Sequence, residues 1–272
     1  MDVYNLPNVT DPHPPAALAL QRVTPVLSYV ALAFSLASFI WWCIQDYRFF
    51  KSLGVGGPSH DIFGWFKVHI LVRPFTLAPR DTTWTGDYPE HGAHKEILAL
   101  PDRMGRRPVI LGIAPQRQFS QCPDQEMNSR VLALFSSYVQ NNPSLLQQRL
   151  SVVEKHHYAL FVHPSILAKP DNIPEIARIA NGELGHIHGD TSLHLYFSPA
   201  DAKILIERGW AQRHRCARTQ PWWFGGLRNM WGIGDTFLIV YAPRHQDELD
   251  VLSVLIKASI MFMTGEQDVV KP

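Results

Sequence analysis

One uncharged run constrains this chain more than any other feature. Thr24 to Ile44 reads TPVLSYVALAFSLASFIWWCI. As a helix rising ~1.5 Å per residue it reaches about 31 Å, enough to cross a bilayer core of roughly 30 Å. Trp41 and Trp42 close the run, where amphipathic rings favour the headgroup region. A cleaved signal peptide fits less well, because the N-terminus carries Asp2 and Asp11 and the bulky WWC end offers no small-residue cleavage site. A buried core helix is rarely so long and unbroken. We therefore read a transmembrane or signal-anchor helix, with Pro25 in its first turn. Arg48 and Lys51 follow the run and only Arg22 precedes it, so the bulk of the chain is expected on the cytoplasmic side of an internal membrane such as the endoplasmic reticulum.

The remaining residues have the composition of a folded domain. Of the 272 residues, 46% are hydrophobic and 18% charged, which excludes a disordered or low-complexity chain. Lys and Arg number 25 against 24 Asp and Glu, so there is no basic excess to neutralise a phosphate backbone and nucleic acid is not an expected partner. Cys43, Cys122 and Cys216 are few and far apart, which fits neither a disulfide framework nor a cysteine-rich zinc site.

Four segments follow from the pattern. Residues 1–23 are a Pro-rich flexible tail and 24–44 the membrane helix. Residues 45–106 are a linker and membrane-proximal segment, and 107–272 a compact domain. Within the second stretch, 63–75 is apolar and is either an interfacial helix or a buried element; Lys67, His69 and Arg73 argue against a second span. In the domain, 108–114, 158–162, 183–188, 192–197 and 236–241 read as strands. Helices are expected over 123–140, with Pro123 in the first turn, from a Ser198 N-cap to Gly209, and over 247–263. The fold class is α+β: an antiparallel or mixed sheet packed with helices, preceded by one N-terminal transmembrane helix.

The densest polar pattern lies between Glu183 and Arg218. On a strand, His186 and His188 share a face. A three-residue loop at Gly189-Asp190-Thr191 sets His194 opposite His186 and gathers three imidazoles; a two-residue loop sends His194 to the other face. His214 follows a helix and can return to the same place. Such a group can act as general bases or bind Zn, Cu or Fe. The base reading is preferred, since no carboxylate or cysteine completes a metal set in the sequence. Gln116, Arg117 and Gln118, with Glu126 nearby, and Trp210 with Arg213 are candidates for binding an anionic substrate. Neither a G-x-S-x-G elbow nor a phosphate-binding G-x-x-x-x-G-K-[ST] loop occurs, so no organic cofactor is expected.

Ordered short motifs carry a resemblance across most of the chain. They include Asp46-Tyr47, Gly57-Pro58-Ser59, Arg107-Pro108, Gln116-Arg117-Gln118, Asp124-Gln125-Glu126 and Pro164-Ser165-Ile166. Asn172-Ile173-Pro174, His186-x-His188, Leu193-His194-Leu195, Gly209-Trp210-x-Gln212-Arg213-His214 and Tyr241-Ala242-Pro243-Arg244 continue the series. In these pieces the sequence resembles the fungal luciferases, membrane-associated enzymes that oxidise 3-hydroxyhispidin with O2 and emit light. The resemblance implies an oxygenase with O2 as co-substrate, a lipophilic pyrone or aromatic polyketide as substrate, and His186, His188, His194 or His214 in the chemistry. The chain departs from the family at Arg215-Cys216-Ala217-Arg218, and at Pro221–Gly234, where three Trp and one Phe stand in a Gly-rich loop.

Overall fold

The structure is a computed structural model describing residues 15–218 and 232–272. Its contacts divide into two units, one ending at Phe49 and one running Phe50–Pro272. The first is the greater part of a single helix, α1 (Pro15–Ser52). This helix begins ahead of the uncharged run, so residues 15–23 are helical rather than tail, and Pro25 lies inside the helix rather than in its first turn. Pro15 takes the first-turn position instead, and the Ala- and Leu-rich residues after it are strong helix formers. Val26–Ser52 is long and apolar enough to cross a membrane. Leu27, Tyr29, Phe34, Phe39 and Trp41 are exposed along it, a surface that suits lipid better than water. The start of the N-terminal tail and most of the Trp-rich stretch 221–234 lie outside the described residues.

Residues 50–106 lie in the second unit. There α2 (Ile62–Trp65) runs on as a π-helical stretch, Phe66–Val72. Together they bury Trp65, Val68 and His69 and expose Ile62, Phe63, Phe66 and Leu71, one face inward and one outward. A short helix, α3 (Lys95–Leu98), precedes a two-stranded hairpin of β1 (Ile110–Gly112) and β2 (Gln116–Gln118).

The main sheet is antiparallel throughout. Its strands are β3 (Leu146–Leu150), β4 (Tyr158–Val162), β5 (Glu183–Ile187), β6 (Leu193–Tyr196), β7 (Ala211–Arg213) and β8 (Phe237–Val240). Their order is β3-β4-β5-β6-β8-β7. Every residue of β5, β6 and β8 is buried, so this sheet is covered on both faces. Two long helices, α4 (Gln125–Asn141) and the closing helix, pack on one side. Met127, Val131, Phe135 and Tyr138 form the buried stripe of α4 at helical spacing. Asp124, not Pro123, caps α4 by accepting from the Met127 amide at 2.8 Å, which leaves Pro123 just outside the helix. The short α5 (Pro164–Leu167) and α6 (Glu175–Ile179) bridge β4 to β5.

Helix α7 (Pro199–Glu207) starts as its sequence dictates: the Ser198 hydroxyl accepts from the Asp201 amide at 3.1 Å, and Gly209 takes φ +81° just past the end. Removing that cap with Ser198→Ala is expected to cost ~1 kcal/mol, read as a lowered thermal midpoint with unchanged spectra. The closing helix, α8 (Gln246–Thr264), crosses β4, β5 and β6, and Tyr138 Oη ties it to α4 by donating to the Ser253 carbonyl at 2.7 Å.

Candidate functional site

The histidine face is built by one turn and one bulge. The turn between β5 and β6 has three residues: the His188 amide donates to the Ser192 carbonyl at 2.8 Å, and Thr191 takes φ +70°, the left-handed position such a loop requires. Asp190 braces the turn by accepting from the Ser192 amide at 2.8 Å and from the Gln118 amide at 2.9 Å. His186 therefore lies directly opposite His194. Ring centroids are 5.3 Å apart for His186 and His194, 4.7 Å for His188 and His194, and 5.2 Å for His186 and His188. His214 follows β7, its amide donates to the Phe237 carbonyl at 2.9 Å, and its ring lies 5.0 Å from that of His194. All four rings are buried, and Phe237 stacks on His194 at 4.7 Å.

The bulge brings in a residue that sequence spacing conceals. Glu183 and His186 are three apart and would face opposite ways on a regular strand. Between β4 and β5, Leu160 pairs with Gly185 while Phe161 pairs with Glu183, so Leu184 is an extra residue. That insertion turns Glu183 back to the histidine face, where its Oε1 lies 2.7 Å from His186 Nδ1. The carboxylate also accepts from Ser151 Oγ at 2.7 Å and from the Val152 amide at 2.7 Å. Burial alone would raise the Glu183 pKa, but the His186 hydrogen bond and charge, with Ser151 and Val152, hold it below the usual value.

The remaining rings are fixed as specifically. His188 Nδ1 lies 2.9 Å from Ser192 Oγ, whose own proton goes to Asp190 Oδ1 at 2.5 Å. His194 Nδ1 lies 3.2 Å from the Leu238 carbonyl. His214 differs: its Nδ1 accepts from the Cys216 amide at 3.1 Å, and its ring also hydrogen-bonds the Ile113 backbone. Burial, reinforced by neighbouring imidazoles, pushes His188 and His194 well below the ordinary imidazole range. Burial likewise lowers His214 to about 3. At neutral pH these three rings are uncharged. One ring nitrogen from each of His186, His188 and His194 lies within 4.8 Å of the others, so the trio can present lone pairs to a proton or a cation.

The other candidates separate. Arg117 is buried, donating to Glu154 Oε1 and to the Val55 carbonyl at 2.6 Å each, and its charge is felt at His188 and His194. The buried Gln116 Oε1 has no hydrogen-bond partner among the described residues. Gln118 ties the end of β2 to the chain leaving β8: its Oε1 accepts from the Ala242 amide at 3.0 Å and its side-chain amide nitrogen donates to the Ser120 carbonyl at 3.0 Å. Glu126 is exposed in the first turn of α4. Trp210 is buried with Nε1 donating to the Pro101 carbonyl at 2.7 Å. Arg213 makes a two-pronged pair with Asp87 and lies 4.0 Å from the Tyr88 ring centroid. A cleft of 410 Å³ beside α4 is lined by Phe135, Gln148, His157 and Ile187, and of the four clustered histidines only His188 borders it.

A family model described as the Luciferase domain matches residues 181–259, which hold all four histidines. Over 235 residues the chain is 31% identical to a luciferase of Armillaria gallica, covering 82% of each. Over 230 residues it is 32% identical to a luciferase of Neonothopanus nambi, covering 82% of this chain and 81% of the relative. No solved structure matches it.

Proposed function

The chain belongs to the fungal luciferase family, and from that premise we propose that it is a membrane-anchored oxygenase acting with O2 on an enolisable, electron-rich pyrone or aromatic polyketide of the 3-hydroxyhispidin kind. The observation that carries this reading is the buried histidine face, which lies inside the region shared with the family and brings a ring nitrogen of His186, His188 and His194 within 4.8 Å of one another. Ionising an enol makes carbon electron-rich enough to reduce O2. The site's task is therefore to accept the enol proton, or to hold a cation in its place, and to keep the resulting anion away from water. By analogy with the family, O2 adds to the enolate carbon, the peroxide closes on the lactone carbonyl, and the cyclic peroxide loses CO2. Arg117 supplies a fixed positive charge beside that chemistry.

The candidate span Val26–Ser52 fits a single-pass anchor that keeps the domain at the lipid into which such a substrate partitions. Arg48 and Lys51 favour a cytoplasmic domain on an internal membrane.

Oxygen uptake and photon counting with 3-hydroxyhispidin, recorded together on the membrane-bound protein in air, test the proposal. Uptake with light is the expected result. Uptake without light keeps the oxygenase and removes the luciferase. Neither signal, from protein shown to be folded and to bind the compound, turns the reading to a non-catalytic binding protein for a lipophilic metabolite.

A further inference from the structure

We propose that His186, His188 and His194 form a three-histidine site for a divalent first-row transition metal ion, each ring binding through Nε2. This inference deepens the oxygenase reading and rests on it for what the ion would do, not for whether it binds.

The argument is about tautomers. A carbonyl only accepts, so the contact with Leu238 fixes His194 with its proton on Nδ1. The Ser192 hydroxyl gives its own proton to Asp190, so it accepts from His188 Nδ1. The Glu183 carboxylate accepts from His186 Nδ1. Three unrelated acceptors thus hold a proton on Nδ1 of all three rings, which leaves Nε2 of each as the position able to take a ligand. One ring nitrogen of each lies within 4.8 Å of the others, in a buried place. Imidazole lone pairs gathered within that span repel, and a shared proton satisfies at most two of them. A cation satisfies all three.

Orientation of ligating histidines through Nδ1 by carboxylate, hydroxyl or carbonyl groups is the ordinary support of a metal site. Glu183 directly and Asp190 through Ser192 supply two negative charges behind the rings, which balance a divalent ion. Neutral imidazoles suit Zn, Cu, Fe or Ni rather than Mg or Ca. A tetrahedral site with bonds of ~2.1 Å sets ligand nitrogens ~3.4 Å apart, which side-chain rotation of about an ångström supplies. His214 is excluded, because its Nδ1 lone pair is taken by the Cys216 amide and its ring is tied to the Ile113 backbone. Three protein ligands leave coordination positions open. An enolisable substrate binding there would ionise more readily, so the ion takes over the anion-stabilising task that sequence reading gave to a base.

The full-length protein in detergent, stripped with chelator and dialysed, is titrated with Co(II) while its visible absorption is followed. The expected result is one Co(II) per chain with ligand-field bands of nitrogen coordination, displaced by Zn(II), and a raised thermal midpoint. His188→Asn and His194→Asn should each weaken binding at least ~100-fold, and Glu183→Gln ~10–100-fold, with His214→Asn within threefold of wild type. No Co(II) bands from folded wild type overturn the site, as does tight binding that survives in both His188→Asn and His194→Asn, which would place the ion on surface histidines. Full oxygen uptake from protein with no metal by elemental analysis overturns the ion and leaves the oxygenase standing. Bound metal without uptake of oxygen on 3-hydroxyhispidin does the reverse.

Discussion

Oxygen uptake is expected to fall ~10²–10⁴-fold in His194→Asn and His188→Asn, and by no more than about tenfold in His214→Asn. The choice of asparagine follows from the hydrogen bonds. Its amide reaches about as far as Nδ1, so in His194→Asn it can still donate to the Leu238 carbonyl, and in His188→Asn to Ser192 Oγ. What it lacks is Nε2. In His214→Asn the side-chain oxygen can keep accepting from the Cys216 amide, so only the link to the Ile113 backbone is lost. The three variants therefore leave similar small cavities and differ in one respect, whether a lone pair leaves the trio of His186, His188 and His194. Rates at saturating substrate, with near-ultraviolet circular dichroism as the folding control, provide the measurement. Equal losses at all three positions would give His214 a direct part; an active His194→Asn enzyme would move the chemistry off this face.

His214 shows where reasoning from sequence reaches its limit. Spacing alone brings a fourth imidazole to the cluster, and the ring does arrive, 5.0 Å from His194. What spacing cannot reveal is that backbone groups occupy both its sides. The turn at Gly189-Asp190-Thr191 is legible between two apolar runs, but its length is not: two-residue and three-residue loops both fit the pattern, and the observed pairing of His186 with His194 selects the longer one. The Ser198 cap and the strand 158–162 were legible because each depends on neighbouring residues. Glu183 was hidden by a bulge, whose cause lies in the partner strand. The two carboxylates beside the rings are hidden from spacing for the same reason: Glu183 reaches His186 through the bulge, and Asp190 reaches His188 through Ser192. Glu126 belongs to the Asp124-Gln125-Glu126 motif, yet Asp124 caps the helix there and Glu126 is left exposed in its first turn. The edge strand β3, LQQRL, was not visible because its exposed side carries polar residues and it gains its strand character only by pairing with β4.

Arg213 carries the largest expected effect on stability. The sequence places it beside His214 as a possible anion-binding donor, but in the fold it is 1% exposed and its guanidinium is forked onto Asp87, a residue far away in the chain. Tyr88 lies under it at 4.0 Å, and the Tyr88 hydroxyl donates to the Asp235 carbonyl at 2.5 Å. One side chain thus fastens the 84–88 segment to the edge strand β7. Truncation in Arg213→Ala removes the charge, opens a cavity and takes both guanidinium contacts from the Asp87 carboxylate, which is only 10% exposed. A cost of ~3–5 kcal/mol is expected from breaking a buried pair in this way, a large part of the 5–15 kcal/mol that typically holds a domain together. Replacing both partners by apolar residues, as in Arg213→Met with Asp87→Leu, removes both charges and should recover most of the loss. Thermal midpoints of the two single variants and the double variant give the coupling directly. If the double variant regains stability and turns over at the wild-type KM, Arg213 serves the fold. If Arg213→Met keeps its midpoint but raises KM steeply, the guanidinium binds the substrate anion and its pairing with Asp87 is the resting arrangement of a binding residue.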